Sequence, residues 1–230
     1  DSSLNSRPME RVAGPLRKMG ASIEMEDDHA PIQVHPSDQI KGLKHKLQVP
    51  SAQVKSAILL AALYANSETV LKSKWITRNH TELMLESFGC HISHNEDTVT
   101  INNGELSGIG TVVIPGDFSS AAFLILATLI AEDSKIIIKD VGLNPTRTGF
   151  LKILEMMGGN VTTTINPGNN NEIQGNIEVK SSELYGINVP NNLVSLSIDE
   201  LPLIFLAAAC ANGTTTIRNA TELRFKESDR

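Results

Sequence analysis

Phe150-Leu-Lys-Ile-Leu-Glu-Met-Met-Gly158 is an amphipathic segment that ends in a glycine, and the same pattern occurs twice more in the chain. The other two segments end at Gly20 and Gly89, so the three glycines recur at intervals of 69 residues. Residues that alternate in polarity follow each glycine, as expected where a glycine ends a helix ahead of a strand. The chain therefore contains an internal repeat, and its fold is expected to be built from copies of one unit.

A second type of element accompanies each of these helices. Three apolar segments predict buried helices, and a short β-rich segment follows each of them. The helices are expected at 56–65, 121–130 and 201–211, the strands at 69–72, 135–139 and 214–218, and hairpins at 21–35, 91–101 and 161–179. The unit is then βαβαββ, which indicates an α/β fold of stacked subdomains. A boundary is expected at Pro115-Gly116-Asp117, so residues 1–115 and 116–230 are predicted to belong to two domains.

Composition excludes several classes of protein. Among 230 residues, 40% are hydrophobic and 20% are charged, which is ordinary for a folded protein and not for a disordered one. The net charge of −6 argues against a general nucleic-acid or membrane-surface binder. Cys90 and Cys210 are too few for a disulfide framework, and the apolar surroundings of Cys210 predict a small core residue. No segment predicts a membrane span or a signal peptide, so a cytoplasmic protein is expected.

Polar residues gather at the predicted helix starts. Ser51 opens a buried helix either as an ordinary N-cap or as part of an anion site made from first-turn N–H groups and the helix dipole. Asp117 leaves the same two readings open. Arg78 and Arg147 stand at helix starts, where a cation opposes the dipole, so an anionic partner would explain them. Asp199-Glu200 is favoured by the dipole at its helix start, with or without a function.

Seven motifs then occur in order along the chain: Ser6-Arg7-Pro8-Met9, Ser51-Ala-Gln53-Val-Lys55-Ser56, Thr77-Arg78-Asn79-His80-Thr81-Glu82, Pro115-Gly-Asp-Phe-Ser119-Ser120-Ala-Ala-Phe123, Asn144-Pro-Thr-Arg147, Ile198-Asp199-Glu200-Leu-Pro202 and Lys226-Glu227-Ser-Asp-Arg230. Together they resemble the 5-enolpyruvylshikimate-3-phosphate synthase (3-phosphoshikimate 1-carboxyvinyltransferase) family, nearest its Ser-Ala-Gln class. The resemblance covers the whole chain. It implies a two-domain enolpyruvyl transferase fold, an inside-out α/β barrel of βαβαββ subdomains, of which this chain would be a central fragment incomplete at both ends.

The resemblance also implies an activity. The family transfers the enolpyruvyl group of phosphoenolpyruvate to the 5-hydroxyl of shikimate 3-phosphate and releases phosphate, without a metal or an organic cofactor. The substrates would be these two small molecules, with no nucleic acid or membrane partner, and the intact enzyme would be a monomer. The chain lacks the family's N-terminal Lys-Ser and Arg positions, its Asn-Ser-Gly-Thr-type loop and its C-terminal Arg and Lys contacts. By itself it is therefore expected to be inactive.

Roles for individual residues follow from the same resemblance. Asp199 resembles the base at the 5-hydroxyl, and Glu227 resembles the acid that handles the proton at C3. Asp117 and Ser119 fall at the hinge between domains and are not predicted ligands. Shikimate 3-phosphate would be bound by Ser51, Ala52, Gln53, Arg78, Asp199 and Lys226, and phosphoenolpyruvate by Arg7, Gln53 and Arg230.

Three alternatives remain at this point. UDP-N-acetylglucosamine enolpyruvyl transferase has the same fold and chemistry, but it carries a reactive cysteine just before its Arg-Pro pair. The corresponding segment here, residues 2–6, contains no cysteine, which disfavours that substrate. The second alternative is an inactive anion-binding fragment, which would not need Asp199 or Glu227. The third is a purely structural repeat protein, which would bind neither substrate.

Overall fold

A computed structural model describes residues 5–95, 97–166, 171–221 and 223. These residues form two compact units, and the division lies between Gly110 and Thr111. The assignment of residues 1–115 and 116–230 to separate domains of an enolpyruvyl transferase stays a prediction. Among the described residues, no helix has both the length and the apolar character needed to cross a lipid bilayer.

The first unit contains a hairpin and a four-stranded sheet. Its elements are α1 (Glu10–Lys18), β1 (Ser22–Glu26), β2 (His29–His35), β3 (Lys44–Lys46), α2 (Ala52–Ala62), β4 (Thr69–Lys72), α3 (His80–Ser87), β5 (Ile92–His94) and β6 (Thr98–Ile101). Strands β1 and β2 pair antiparallel, with Ser22 opposite His35. The larger sheet has the order β3-β4-β6-β5, in which β3 and β4 are parallel and the other pairs are antiparallel.

The described residues of the second unit form a three-stranded antiparallel sheet and four α-helices. Its elements are α4 (Phe118–Ile130), β7 (Lys135–Gly142), α5 (Gly149–Met156), β8 (Asn160–Asn166), β9 (Gln174–Lys180), α6 (Asn191–Leu196) and α7 (Leu201–Cys210). The sheet order is β7-β9-β8, so Lys180 lies opposite both Lys135 and Asn160.

The predicted repeat is confirmed by the topology of both units. In the first unit, β4 leads into α3 and the β5–β6 hairpin, and β4 then pairs with β6. In the second unit, β7 leads into α5 and the β8–β9 hairpin, and β7 then pairs with β9. The same strand–helix–hairpin motif is therefore closed in the same way twice.

The repeated glycines end helices as predicted. Gly20, Gly89 and Gly158 have φ of +102°, +82° and +92°, a left-handed conformation that costs glycine little because it has no Cβ. The amide after each glycine donates to a carbonyl in the preceding helix: Ala21 to Leu16, Cys90 to Leu85 and Gly159 to Leu154. This bonding is that of the Schellman motif, and it turns each amphipathic helix sharply towards the strand that follows.

The predicted apolar helices lie in the cores of their units. Ile58 and Leu59 of α2 are fully buried, as are Ile125 of α4 and Ile204 of α7. Both α2 and α4 begin about one turn before the predicted residue, because their polar first turns are not part of the apolar pattern.

Two sequence-based expectations are wrong. Residues 214–218 do not form a strand. The neighbouring backbone meets this part of the chain at two isolated parallel bridges, Tyr185 with Asn212 and Asn188 with Thr216, and their unequal spacing along the two segments prevents a regular ladder. Cys210 is exposed and is not a core residue. It is the last residue of α7, three positions beyond Ala207, where the buried stripe of Leu201, Ile204 and Ala207 ends.

The first turn of α4 is capped by Asp117. Its Oδ1 accepts a hydrogen bond from the Ser119 N–H at 3.3 Å, and its Oδ2 accepts from the Ser120 N–H at 2.8 Å and the Ser120 hydroxyl at 2.7 Å. Burial, the largest single effect, raises the pKa of Asp117. The hydrogen bonds from Ser120 and Ser119 and the charge of Arg147 together outweigh it and hold that pKa below its usual value.

Phe150 offers a test of the second core. It is fully buried on α5, and its ring meets Phe118 edge-on with centroids 6.4 Å apart. We expect Phe150→Ala to lower the free energy of unfolding of the 230-residue chain by about 3–5 kcal/mol in urea titrations, because it leaves a cavity. Phe123→Ala is the matched control: this side chain is 64% exposed on α4, and the loss should stay below about 0.5 kcal/mol. Equal losses would contradict the described core.

The Asp117 cap predicts a pH dependence of stability. We expect Asp117→Ala to cost about 1 kcal/mol at pH 6, the usual value for a lost N-cap. Because the folded pKa of Asp117 lies below the unfolded value, its charge stabilises the fold above the unfolded pKa, and this contribution is lost as the pH falls through the folded pKa. The difference between variant and wild type should therefore shrink below about pH 4. A difference that stays constant from pH 7 to pH 2 would contradict this assignment.

Candidate functional site

The start of α2 has the chemistry of an anion site. Ser51 is the N-cap residue, and its Oγ accepts a hydrogen bond from the Val54 N–H at 3.3 Å. Ser51 and Ala52 are half-buried, whereas Gln53 is exposed. First-turn N–H groups have no acceptor within the helix, and together with the helix dipole they favour a bound anion. Ser51 is thus a cap, and its role in ligand binding stays a prediction.

Two side-chain contacts join α2 to α3. Lys55 Nζ forms an ion pair with Glu82 Oε1, and both side chains are buried. In the adjacent positions, the hydroxyl oxygens of Ser56 and Thr81 are 2.6 Å apart and share a hydrogen bond. Because all four residues lie within the first five positions of their helices, the contacts join the N-terminal parts of α2 and α3.

Arg78 lies on the second of these helix starts. It is half-buried and directly precedes Asn79, the N-cap residue of α3. The α2–α3 contacts thus link the helix that follows Ser51 to the helix that follows Arg78, and a ligand site shared by the two segments stays a prediction. Lys55 and Glu82 are not among the predicted site residues. A lysine within the apolar segment that follows Ser51 is a signal that could identify the pair, since a buried lysine needs an anionic partner.

The remaining predicted ligands divide between the described and undescribed parts of the chain. Arg7 lies in the first unit, before α1, and is half-buried. Lys226, Glu227 and Arg230 lie outside the described residues, so their roles stay predictions.

Asp199 and Glu200 lie at the start of α7 in very different environments. Glu200 is only 1% exposed, and it is the N-cap residue by position, although its side chain does not cap the helix. The Asp199 side chain is 27% exposed. Two consecutive carboxylates therefore have separate surroundings: one is buried in the protein, and the other is accessible to a solute.

Arg147 reaches both carboxylates. Its Nη1 lies 3.2 Å from Glu200 Oε1, 3.3 Å from Glu200 Oε2 and 3.6 Å from Asp199 Oδ2. The turn before it is shaped by Asn144, whose side-chain oxygen accepts from the Thr146 N–H at 2.9 Å and whose backbone oxygen accepts from the Arg147 N–H at 2.9 Å. The anionic partner expected for Arg147 is therefore a pair of carboxylates from its own chain.

Ser119 completes this cluster. Its hydroxyl donates to Glu200 Oε1 at 2.6 Å and accepts a hydrogen bond from Arg147 Nη2. Sequence reasoning identified Ser119, Arg147 and Glu200 as separate helix-start residues but missed that they contact one another. Their separations of 28, 53 and 81 positions carry no local signal.

No group of three or more His, Cys, Asp or Glu side chains is arranged to share a metal ion within the described part of the chain. The acid–base groups described above can accept, donate or orient protons, and the basic groups at helix starts can bind anions.

Comparison with known proteins adds the family. Residues 1–230 match the family model described as EPSP synthase (3-phosphoshikimate 1-carboxyvinyltransferase). Two curated relatives with the name 3-phosphoshikimate 1-carboxyvinyltransferase, from Vesicomyosocius okutanii and Petrotoga mobilis, are each 46% identical over 230 and 233 residues. All of this chain is covered, but only 53% and 54% of the relatives, so the chain spans about half of their length.

Solved structures agree with this match. EPSP synthase from Acinetobacter baumannii superposes with a TM-score of 0.86 at 43% identity. The match covers all of this chain and 52% of the Acinetobacter chain. The enolpyruvyl transferase NikO from Streptomyces tendae has a TM-score of 0.68 at 15% identity. This match covers 92% of this chain and 51% of the NikO chain, and at that identity it shows the fold alone. The predicted enolpyruvyl transferase fold is therefore confirmed, and the chain belongs to the EPSP synthase (3-phosphoshikimate 1-carboxyvinyltransferase) family.

Proposed function

We propose that these 230 residues, in a protein of the relatives' full length, take part in transferring the enolpyruvyl group of phosphoenolpyruvate to the 5-hydroxyl of shikimate 3-phosphate, with release of phosphate. The observation that carries the proposal is the family match over the whole chain. It favours this substrate over UDP-N-acetylglucosamine. The protein is proposed to act without a metal or organic cofactor, as a cytoplasmic monomer.

The shikimate 3-phosphate side of the proposal rests on the helix starts of the first unit. Ser51, Ala52 and Gln53 would bind the phosphate through the N-terminus of α2, and Arg78 would add a guanidinium, which pairs well with phosphate oxygens. The Lys55–Glu82 pair supports this arrangement because it fixes α2 against α3 from within the unit. Phosphoenolpyruvate is assigned to Arg7, Gln53 and Arg230, and Lys226 is assigned to shikimate 3-phosphate, by the family resemblance.

The proton transfers are assigned to two carboxyl groups. During addition the 5-hydroxyl loses its proton and its oxygen bonds to C2 of phosphoenolpyruvate, while C3 gains a proton. Loss of a proton from C3 then expels phosphate and restores the double bond. We assign the first proton to Asp199, whose carboxylate is accessible and lies beside Arg147, and the C3 proton to Glu227.

Ligand binding by the first unit is directly testable. We expect Gln53→Ala and Arg78→Ala each to weaken the binding of shikimate 3-phosphate to the 230-residue chain by about 1–3 kcal/mol, the usual loss for a hydrogen bond to a charged group. Half-buried Trp75, three positions before Arg78, is the fluorescence reporter, and calorimetry is the second measurement.

Gln48→Ala and Arg17→Ala are matched controls for this titration. Gln48 is exposed and donates to the Lys46 carbonyl, and Arg17 forms an exposed ion pair with Glu10. Neither change should alter the affinity. Binding that is unaffected by the Gln53 and Arg78 substitutions, or absent at millimolar ligand, would contradict the site.

Turnover tests the role of Asp199 in a protein of the relatives' full length that carries these 230 residues. We expect Asp199→Asn to lower kcat for phosphate release by about 10²–10⁴-fold with little change in KM, because a general base acts mainly in the transition state. Glu132→Gln, at an exposed position just after α4, is the control and should retain wild-type kcat. Wild-type kcat in the Asp199 variant would remove this residue from the mechanism.

A further inference from the structure

The Glu200 carboxylate is deeply buried, and both of its oxygens have partners within the protein. It is 1% exposed, and the cost of burying a carboxylate is high unless charged and hydrogen-bonding partners compensate it. Both of its oxygens face Arg147 Nη1, at 3.2 and 3.3 Å, and Oε1 also accepts from the Ser119 hydroxyl at 2.6 Å. Glu200 is therefore held in one place and has no accessible surface with which to meet a substrate.

The Arg147 guanidinium is held just as firmly. Its side chain is 12% exposed, Nη1 contacts Glu200, and Nη2 donates to Ser119 Oγ. These three residues come from the turn between β7 and α5, the first turn of α4 and the start of α7. Because a guanidinium is planar and rigid, bonds to two of its nitrogens fix its orientation as well as its position.

The same guanidinium faces a second carboxylate. Arg147 Nη1 is 3.6 Å from Asp199 Oδ2, and Asp199 is more than twice as exposed as Arg147. One cation thus lies between a buried carboxylate, which anchors it, and an accessible carboxylate, which has been assigned a catalytic role above.

We propose that Arg147, anchored by Glu200 and Ser119, is a positioning residue that holds the Asp199 carboxylate in the orientation required for proton transfer. This inference rests on the proposed function, because it gives Arg147 its role through Asp199. Arg147 and Glu200 do not react themselves. Displacement of a catalytic group by about 1 Å can cost as much as 10²-fold in rate, so the effect on turnover should be large.

A purely structural role is the competing explanation, since the cluster also joins three helix starts. The two roles differ in how Arg147 and Asp199 depend on each other. If Arg147 acts through Asp199, its replacement has no further effect on turnover once Asp199 no longer accepts the proton. If Arg147 only supports the fold, its replacement lowers turnover by the same factor with or without a functional Asp199.

A double-mutant cycle on a protein of the relatives' full length that carries this chain tests the inference. We expect Arg147→Gln to lower kcat about tenfold or more, with less than about a twofold change in either KM. In the Asp199→Asn background the same substitution should change kcat by less than about twofold. Arg147→Lys, which keeps the charge near Asp199 but not the planar fork, should recover part of the loss.

Lys135→Gln is the control, because it breaks an exposed ion pair with Glu178 on the sheet of the same unit. It should leave kcat unchanged in both backgrounds. If Arg147→Gln fails to fold by circular dichroism, Ser119→Ala replaces it in the cycle, since it removes the Ser119 hydrogen bonds and keeps the Arg147–Glu200 pair. Ser119→Ala should then lower kcat a few-fold in the wild-type background. In the Asp199→Asn background it should leave kcat unchanged.

If Arg147→Gln lowers kcat by the same factor in the wild-type and Asp199→Asn backgrounds, the inference is overturned. An unchanged kcat in Arg147→Gln would also overturn it. Either result leaves the proposed function intact. Absence of phosphate release by the wild-type protein is a different result. It would overturn the proposed function before any substitution is made, and the positioning role would fall with it.

Discussion

A left-handed backbone at three glycines is the constraint on which the repeated architecture depends. Each glycine ends an amphipathic helix at a φ between +82° and +102° and lets the next amide bond back into that helix. A residue with a Cβ would be strained there, so the chain reverses into a hairpin where glycine permits it. At Gly89 and Gly158 that hairpin then pairs with the strand before the helix, which closes the motif on itself.

Within the described residues, each unit has a buried ion pair near the helix starts that carry predicted site residues. Lys55 and Glu82 join α2 to α3 in the first unit. In the second unit, Arg147 and Glu200 join the turn before α5 to the start of α7. Such pairs contribute little net stability, because desolvation of the charges offsets their attraction, but breaking one leaves an uncompensated charge. The pairs therefore mainly determine how the helices are aligned, because misaligned helices would leave a buried charge without its partner.

Net charge and local charge have opposite consequences for this protein. The chain carries −6 overall, which does not favour anionic substrates at long range. Arg78 and the amides of the α2 start nevertheless both lie at helix starts of the first unit, where the proposed phosphate site needs local positive charge. In the second unit, the positive charge of Arg147 is instead neutralised by Glu200 and Asp199. The proposed phosphate site and the proposed proton-transfer group thus occupy helix starts of different electrostatic character.

The repeat, the glycine helix ends, the hairpins and the buried helices were determined by the sequence, because each depends on residues within about one turn or one strand of each other. The family followed from ordered local motifs, and the proposed role of Asp199 rests on the same motifs. Tertiary structure decided the rest. The partners of Arg147 and of Lys55, the exposure of Cys210 and the failure of residues 214–218 to form a strand all depend on which elements lie alongside. Hydrogen bonds that span 28 to 81 positions, such as those of Ser119 with Arg147 and Glu200, leave no periodic trace in the sequence, since they exist only after the helices have packed.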